Sequence, residues 1–419
     1  LSFLALALAP GEGLARAWRA RAAAALPAAD RAREVAGWLS FAGFAALLAL
    51  GFLGPHDPLL NLLPLTVWTA LWVGLTALTA LVGDVWRWLN PWVAPWRLAR
   101  RLGLAADAPP RWIAWLGLWP AVAGLLAFGW FELVHVTPAD PGLLARVTLG
   151  YWLLTFALML VAGEAWLGQG EFLSVFFRFV GRLAPVAIEG GRVRLALPGA
   201  RLLAAPPLPL SGVAFVSAAL ATVTFDGLSR TFLWLDLVGT NPLEFPGRSA
   251  VTGVNTAGYA AACVAMTAAF AGAVRLGRRL APAPVPARVE LGRLALTLLP
   301  IALAYHLSHY LTVLLVNGQY WWAALGDPLG RGWGLTGFDS HDVTTSFLYE
   351  RGAVRTIWTV QAGAVIAGHL LAVLLAHLTA LSLHGGDRRA AARGQLPLAG
   401  LMVLYTLLGL WLLATPTGA

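Results

Sequence analysis

The chain has 419 residues, 59% of them hydrophobic and only 12% charged. A soluble domain carries about twice that charge, ~25%, and a mean hydropathy of +0.72 is more apolar surface than a soluble core can hide, so an ordinary soluble enzyme is excluded. The formal charge of +9 is not a nucleic-acid footprint, because every basic residue is Arg and these cluster in short connections between apolar runs. That all-Arg set, with abundant Ala, Leu, Gly and Pro, has the composition of a GC-rich bacterial genome. A lone cysteine, Cys263, excludes an internal disulfide and a Cys-based zinc site.

In chain order, LSFLALALAP (1–10) reads as the tail of a spanning helix whose start is missing. Nine full-length apolar runs follow, at 36–53, 61–83, 112–136, 142–163, 208–226, 251–274, 294–317, 353–378 and 395–415. Spanning helices need ~20 apolar residues each. The expected fold is therefore an all-α polytopic bundle, nine full spans plus a truncated first one, forming one membrane domain over 1–419. Its partner is the lipid bilayer, with no nucleic acid.

Arginine placement orients the bundle. All but Arg146, Arg230, Arg248, Arg331, Arg351 and Arg355 lie in the alternate segments 10–35, 84–111, 164–207, 275–293 and 384–394. Cytoplasmic loops are enriched in Lys and Arg, so these segments are expected inside a bacterial cytoplasmic (inner) membrane, with the C-terminus on the periplasmic side. VWRWLNPWVAPWRLARRL (85–102) reads as an interfacial segment with indoles at headgroup depth. IEGGRVRLALPGARLL (188–203) reads as two short strands around a Pro-Gly turn. FLSVFFRFVGR (172–182) reads as an amphipathic stretch on the cytoplasmic face, with Glu164 fixing the turn into it. The outer connection 318–352 reads as a lid over an outward cavity or as an ordered surface loop.

Ionisable groups inside spans are costly and mark candidate sites. YHLSHY (305–310) sets His306 and His309 at i and i+3, on one helix face. Two neutral imidazoles there suit one transition metal ion, zinc, copper, iron or manganese. Counting ~1.5 Å per residue from Arg293 puts them ~20 and ~24 Å above the inner edge. In GHLLAVLLAH, His369 is deep enough to be a third ligand, whereas His377 sits near the inner end and reads as interfacial. Asp226 in TFDGLS is a helix-end cap, an oxygen ligand or a general base. Glu132 and His135 in FELVH lie at the same outer level as candidate proton-handling groups, and His341 and Asp342 sit in the outer loop. No P-loop, GxGxxG, HExxH or GxSxG motif occurs.

The set GDVWRWLNPW, GEAWL, TFDGLS, YHLSHY, GDPLG, the GH…AH helix and GQLPL resembles the bacterial integral-membrane family of fenitrothion hydrolases, from about residue 36 onward. In that family a further outward-starting helix precedes the position of Leu1. The resemblance implies hydrolysis of an aryl phosphorothioate triester with release of a nitrophenol, on a hydrophobic small-molecule substrate. That chemistry needs an activated water and a Lewis acid, for which His306, His309, His369 and Asp226 have the right ligand types. Hydroxide attack from a single ion, with Glu132 or His135 handling the proton, is the mechanism they suit. Three other readings come from the residues. One is a transporter or channel for a small solute or metal ion, using the ladder of His residues. Another is a redox subunit with haem between His306 and His369. The last is a membrane partner of a second subunit.

Overall fold

In lipid a backbone can satisfy its N–H and C=O groups only internally, so long Ala/Leu-rich runs without charge must be helices. The computed structural model describes residues 21–25, 29–106, 108–189, 192–241 and 247–415. Its main helices are α1 (Ala29–Leu53), α2 (Leu62–Val82), α3 (Trp119–Leu133), α4 (Pro141–Ala162), α5 (Phe172–Gly181), α6 (Leu210–Ser229), α7 (Thr252–Leu280), α8 (Ala287–His309), α9 (Leu311–Gly326), α10 (Arg351–Leu383) and α11 (Arg388–Ala414). Eight of these, all but α3, α5 and α9, are long and apolar enough to cross a membrane. The chain is thus a helical bundle of multi-pass membrane type, and the expected partial helix at 1–9 lies outside the described residues.

The expected count of nine full spans differs at the run 112–136. Gly117, with φ at 55°, breaks it into Trp112–Leu116 and α3. Ser211 Oγ accepts the freed Leu118 N–H at 2.9 Å. What remains of the run is 15 residues, ~22 Å of helix and short of a ~30 Å hydrocarbon layer. The run 294–317 also differs. Its helix begins earlier, at Ala287, and is interrupted at Tyr310 (φ −91°, ψ 6°), after which α9 leaves to pack on α2. Trp321 Nε1 seals that contact by donating to Thr66 Oγ1 at 2.9 Å.

α6 is the central helix. It packs against α3, α7, α8 and α11, and fifteen of its residues are buried. The Arg-rich segments gather at one end of the bundle. Arg101 pairs with Glu34 at 3.0 Å, and Arg278 with Glu290 at 2.6 Å. At the opposite end, Trp68 Nε1 donates to the Pro138 carbonyl, and Arg248 to the carbonyls of Glu132 and His135.

Three expectations for the Arg-rich end are corrected. The hairpin strands are β2 (Val186–Glu189) and β3 (Arg192–Leu195), with Glu189 opposite Arg192, so the connection is at 190–191 rather than at Pro198-Gly199. A third strand, β1 (Arg21–Ala25), pairs antiparallel with β3, giving the order β1-β3-β2. Trp86, Trp92 and Trp96 are buried rather than set among headgroups. Two of them have inward hydrogen-bond partners, Trp86 with Ser174 Oγ and Trp92 with the Trp152 carbonyl. Likewise α5 is threaded into the core, burying Phe172, Phe176, Phe177 and Phe179. Its start is fixed by Glu171, which accepts from Leu173 N and Ser174 N, whereas Glu164 sits in a half-exposed pair with Arg97. Burial lifts the Glu171 carboxyl above the usual range, against the hydrogen bonds that favour its ionised form.

Small residues let the helices close up. A Cβ on Gly277 of α7 would lie 1.9 Å from the Gly394 carbonyl oxygen of α11, whereas one on Gly272 of the same helix meets open space. Gly277→Ala is expected to lose about 1–3 kcal/mol, read as a lower midpoint of thermal unfolding in detergent. Gly272→Ala is expected to hold or gain about 0.5–1 kcal/mol. Equal effects at the two positions would contradict this packing.

Candidate functional site: a buried Asp226–His309–Arg230 centre

Two helix irregularities position the site. α2 carries a π-helical stretch from Thr66 to Leu75, a geometry that widens the turn and recurs at functional sites. In it the Trp72 carbonyl is reached by Thr76 Oγ1 at 2.7 Å and by His306 Nε2 at 2.9 Å. A carbonyl only accepts, so His306 carries its proton on Nε2. Opposite, the break at Tyr310 turns the last rings of α8 inward.

Asp226 lies in the last turn of α6 and is 1% exposed. The negative end of the helix dipole disfavours an anion there, so the carboxylate depends on side-chain partners. His309 Nε2 donates to its Oδ2 at 2.8 Å, and Arg230, four residues on, pairs with Oδ1 at 2.7 Å. Arg230 is itself 49% exposed, so the pair joins the protein surface to the interior. A second carboxyl stands alongside. The Tyr310 hydroxyl donates to Glu132 Oε1 at 2.9 Å and is also within reach of Asp226. Glu132 Oε2 is buried with no hydrogen-bond partner among the described residues.

Aromatic rings stack against the other side of this centre. Tyr310 packs on His306 with centroids 4.9 Å apart, His306 on Trp72 at 5.0 Å, and Trp72 on Phe176 at 5.0 Å. Beneath this stack is a cavity of about 40 Å³ lined by Thr76, Thr222, Leu125, Phe179, Leu303 and other apolar groups. A water needs ~10–15 Å³ by this measure, so the space admits a few waters and no drug-sized ligand, which takes ~300–1,000 Å³. A larger groove of about 590 Å³ lies elsewhere, between α1, α2, α4 and α9. It is lined by Phe44, Leu71, Tyr151, Trp92 and Trp321, and by none of the charged residues of the site.

The residues singled out from sequence therefore divide. Asp226, His309 and Glu132 come together, and His306 lies one ring away. His369 has a partner of its own. Its Nδ1 meets Thr406 Oγ1 at 2.8 Å, and since that hydroxyl already donates to the Met402 carbonyl, His369 is the donor. His135 lies in the turn after α3, its Nδ1 accepting from Thr137 N at 3.1 Å. His377, expected at the interface, is buried and hydrogen-bonded to Gln395 of α11. His341 and Asp342 take part in turns of the connection between α9 and α10, which approaches the α1–α2 connection closely at Gly330 and Pro55. Among the described residues, no three His, Cys, Asp or Glu side chains gather in a metal-binding group. Arg230, Tyr310, Trp72 and Arg248 were not singled out from sequence. Arg230 was within reach of it, as the i+4 partner of an intramembrane Asp.

Compared with known proteins, the chain matches no family model, no curated protein and no solved structure.

Removing the Tyr310 hydroxyl leaves Glu132 without its side-chain hydrogen bond. Tyr310→Phe is expected to lower stability by about 1–3 kcal/mol in thermal unfolding. Tyr349→Phe, at a residue 86% exposed, should leave it unchanged. No difference between the two variants would count against this hydrogen bond.

Proposed function

We propose that the protein is a transporter that moves a small solute across the membrane together with a proton, with Asp226 and His309 as the proton-carrying centre. The observation that carries this reading is the buried Asp226–His309 hydrogen bond at the break between α8 and α9. Ionisable groups at membrane depth mark ion and proton paths, and interrupted helices line the sites of transporters. A proton on Asp226 would weaken its hold on both Arg230 and His309. The tie between α6 and α8 would then loosen at the point where α8 already bends. Glu132, with its unpartnered Oε2, is the adjacent proton acceptor. Arg230 is the group that meets solute from the outer side, and the Tyr310–His306–Trp72 stack is the inner gate. In this reading the chain lies in a bacterial cytoplasmic membrane, Arg-rich end inside and C-terminus outside.

The second reading is the hydrolase that the family resemblance implies. The apolar groove of about 590 Å³ favours it, being large enough for an aryl phosphorothioate triester. The metal that this chemistry invites does not fit the donors. Of the four candidate ligands only His309 and Asp226 meet, and they are hydrogen-bonded to each other. His306 and His369 each spend one ring nitrogen on another partner, Trp72 and Thr406, and among the described residues no three such ligands gather.

One preparation separates the readings. Proteoliposomes holding a trapped pH dye would be challenged with a panel of small organic cations, organic anions and divalent metals, and in parallel with an aryl phosphorothioate triester. Transport predicts that at least one solute shifts the internal pH, with the shift falling at least tenfold in Asp226→Asn and His309→Gln. Nitrophenol release that is unchanged in Asp226→Asn, with no solute moving the dye beyond protein-free vesicles, would overturn transport in favour of hydrolysis.

A further inference from the structure

At the Arg-rich end, the chain leaving α2 forms a short helix, Trp86–Leu89. It is pinned to α5 by Trp86 Nε1 and Asn90 Nδ2, which both donate to Ser174 Oγ, at 3.2 and 3.3 Å. The approach is close enough that a Cβ on Gly181 would sit 2.7 Å from the Asp84 nitrogen. The two segments thus share one wall of a pocket of about 720 Å³. Arg87, Arg178, Arg182, Arg201, Asp84 and Trp88 line it, and the hairpin closes it with Val186 and Val193.

Among the described lining residues, four guanidiniums and one carboxylate face this pocket. Two of them are anchored to the backbone: Arg178 donates to the Gly168 carbonyl at 2.7 Å, and Arg201 to those of Gly181 and Ala184 at 2.6 and 2.7 Å. Arg182 lies over the Phe179 ring, 5.5 Å from its centroid, and buries Nη1 with no hydrogen-bond partner among the described residues. Crowding acts in the same direction. Burial, then Arg182, pushes Arg178 below its usual range, and burial, then Arg201, does the same to Arg182. A ligand with several acceptor oxygens and negative charge relieves both the orphaned donor and the repulsion.

The same short helix also borders the apolar groove. Trp86 and Leu89 line the groove, whereas Arg87 and Trp88 line the basic pocket. One helix diameter, ~10–12 Å, therefore separates an apolar trough from a cationic cup, within reach of a single amphiphile.

We propose that this pocket binds a phosphate-bearing ligand through Arg178 and Arg182, the neighbouring groove favouring a phospholipid whose chain lies beside α2 over a free phosphate. The inference is independent of the transport reading.

Delipidated full-length protein in a neutral detergent would be titrated with dioctanoyl phosphatidylglycerol and, separately, with inorganic pyrophosphate, with bound species counted by native mass spectrometry. The expected result is phosphatidylglycerol binding weakened at least tenfold in Arg178→Gln/Arg182→Gln and unchanged in Arg288→Gln, at an exposed arginine of the same end. Pyrophosphate binding with the same dependence, without phosphatidylglycerol binding, would keep the phosphate site and assign it to a soluble ligand. Asp84→Asn removes the negative charge of a lining carboxylate and is expected to tighten binding about tenfold, a gain that a misfolded variant does not give. Binding of neither probe, or binding indifferent to both the double variant and Asp84→Asn, would overturn the proposal.

Discussion

A carboxylate at the end of a helix in the middle of a membrane protein is the constraint on which the rest of this fold depends. Left alone, Asp226 would cost several kcal/mol in desolvation, and the dipole of α6 adds to the cost. The structure meets that cost from two directions, with Arg230 arriving from the protein surface and His309 from α8. Each partner dictates further structure. For His309 to reach Asp226, α8 must lie against α6, and the close approach of Gly368 to Ala304 and Pro300 draws α10 in behind α8.

The neighbouring irregularities follow from the same demand. A regular α8 continuing through Tyr310 would carry the chain straight on. Its interruption instead brings Tyr310 beneath Glu132 and sends α9 towards α2. The π-helical stretch of α2 offers the Trp72 carbonyl to His306, which fixes that ring as the floor of the site. Polar pairing thus flanks the centre on one side and ring stacking on the other.

Much of this was legible in the sequence, and the failures have physical causes. Apolar runs of ~20 residues gave the helical bundle because lipid leaves the backbone no alternative. The same signal missed the break at Gly117, since a positive-φ glycine alters direction without altering hydropathy. His306 and His309 were found by i, i+3 spacing, but spacing on one helix says nothing of what each ring meets on its neighbours. His306 goes to a backbone carbonyl in the π-helical stretch of α2, and His369 to Thr406. Asp226 and Glu132 were both named at the outer level, yet their common neighbour Tyr310, the terminal residue of YHLSHY, carries no charge to draw notice. The indoles of 85–102 were expected at the lipid interface because composition cannot distinguish an amphipathic surface from a segment folded back on its own protein.

The most direct measurement is a double-mutant cycle between Asp226 and His309, read by thermal unfolding in detergent for the chain, Asp226→Asn, His309→Gln and the pair. A buried hydrogen-bonded contact of this kind predicts a coupling energy of at least about 1 kcal/mol, within the range for residues in one network. Additive losses, with coupling below ~0.5 kcal/mol, would mean that Asp226 and His309 do not form the centre from which the site is built.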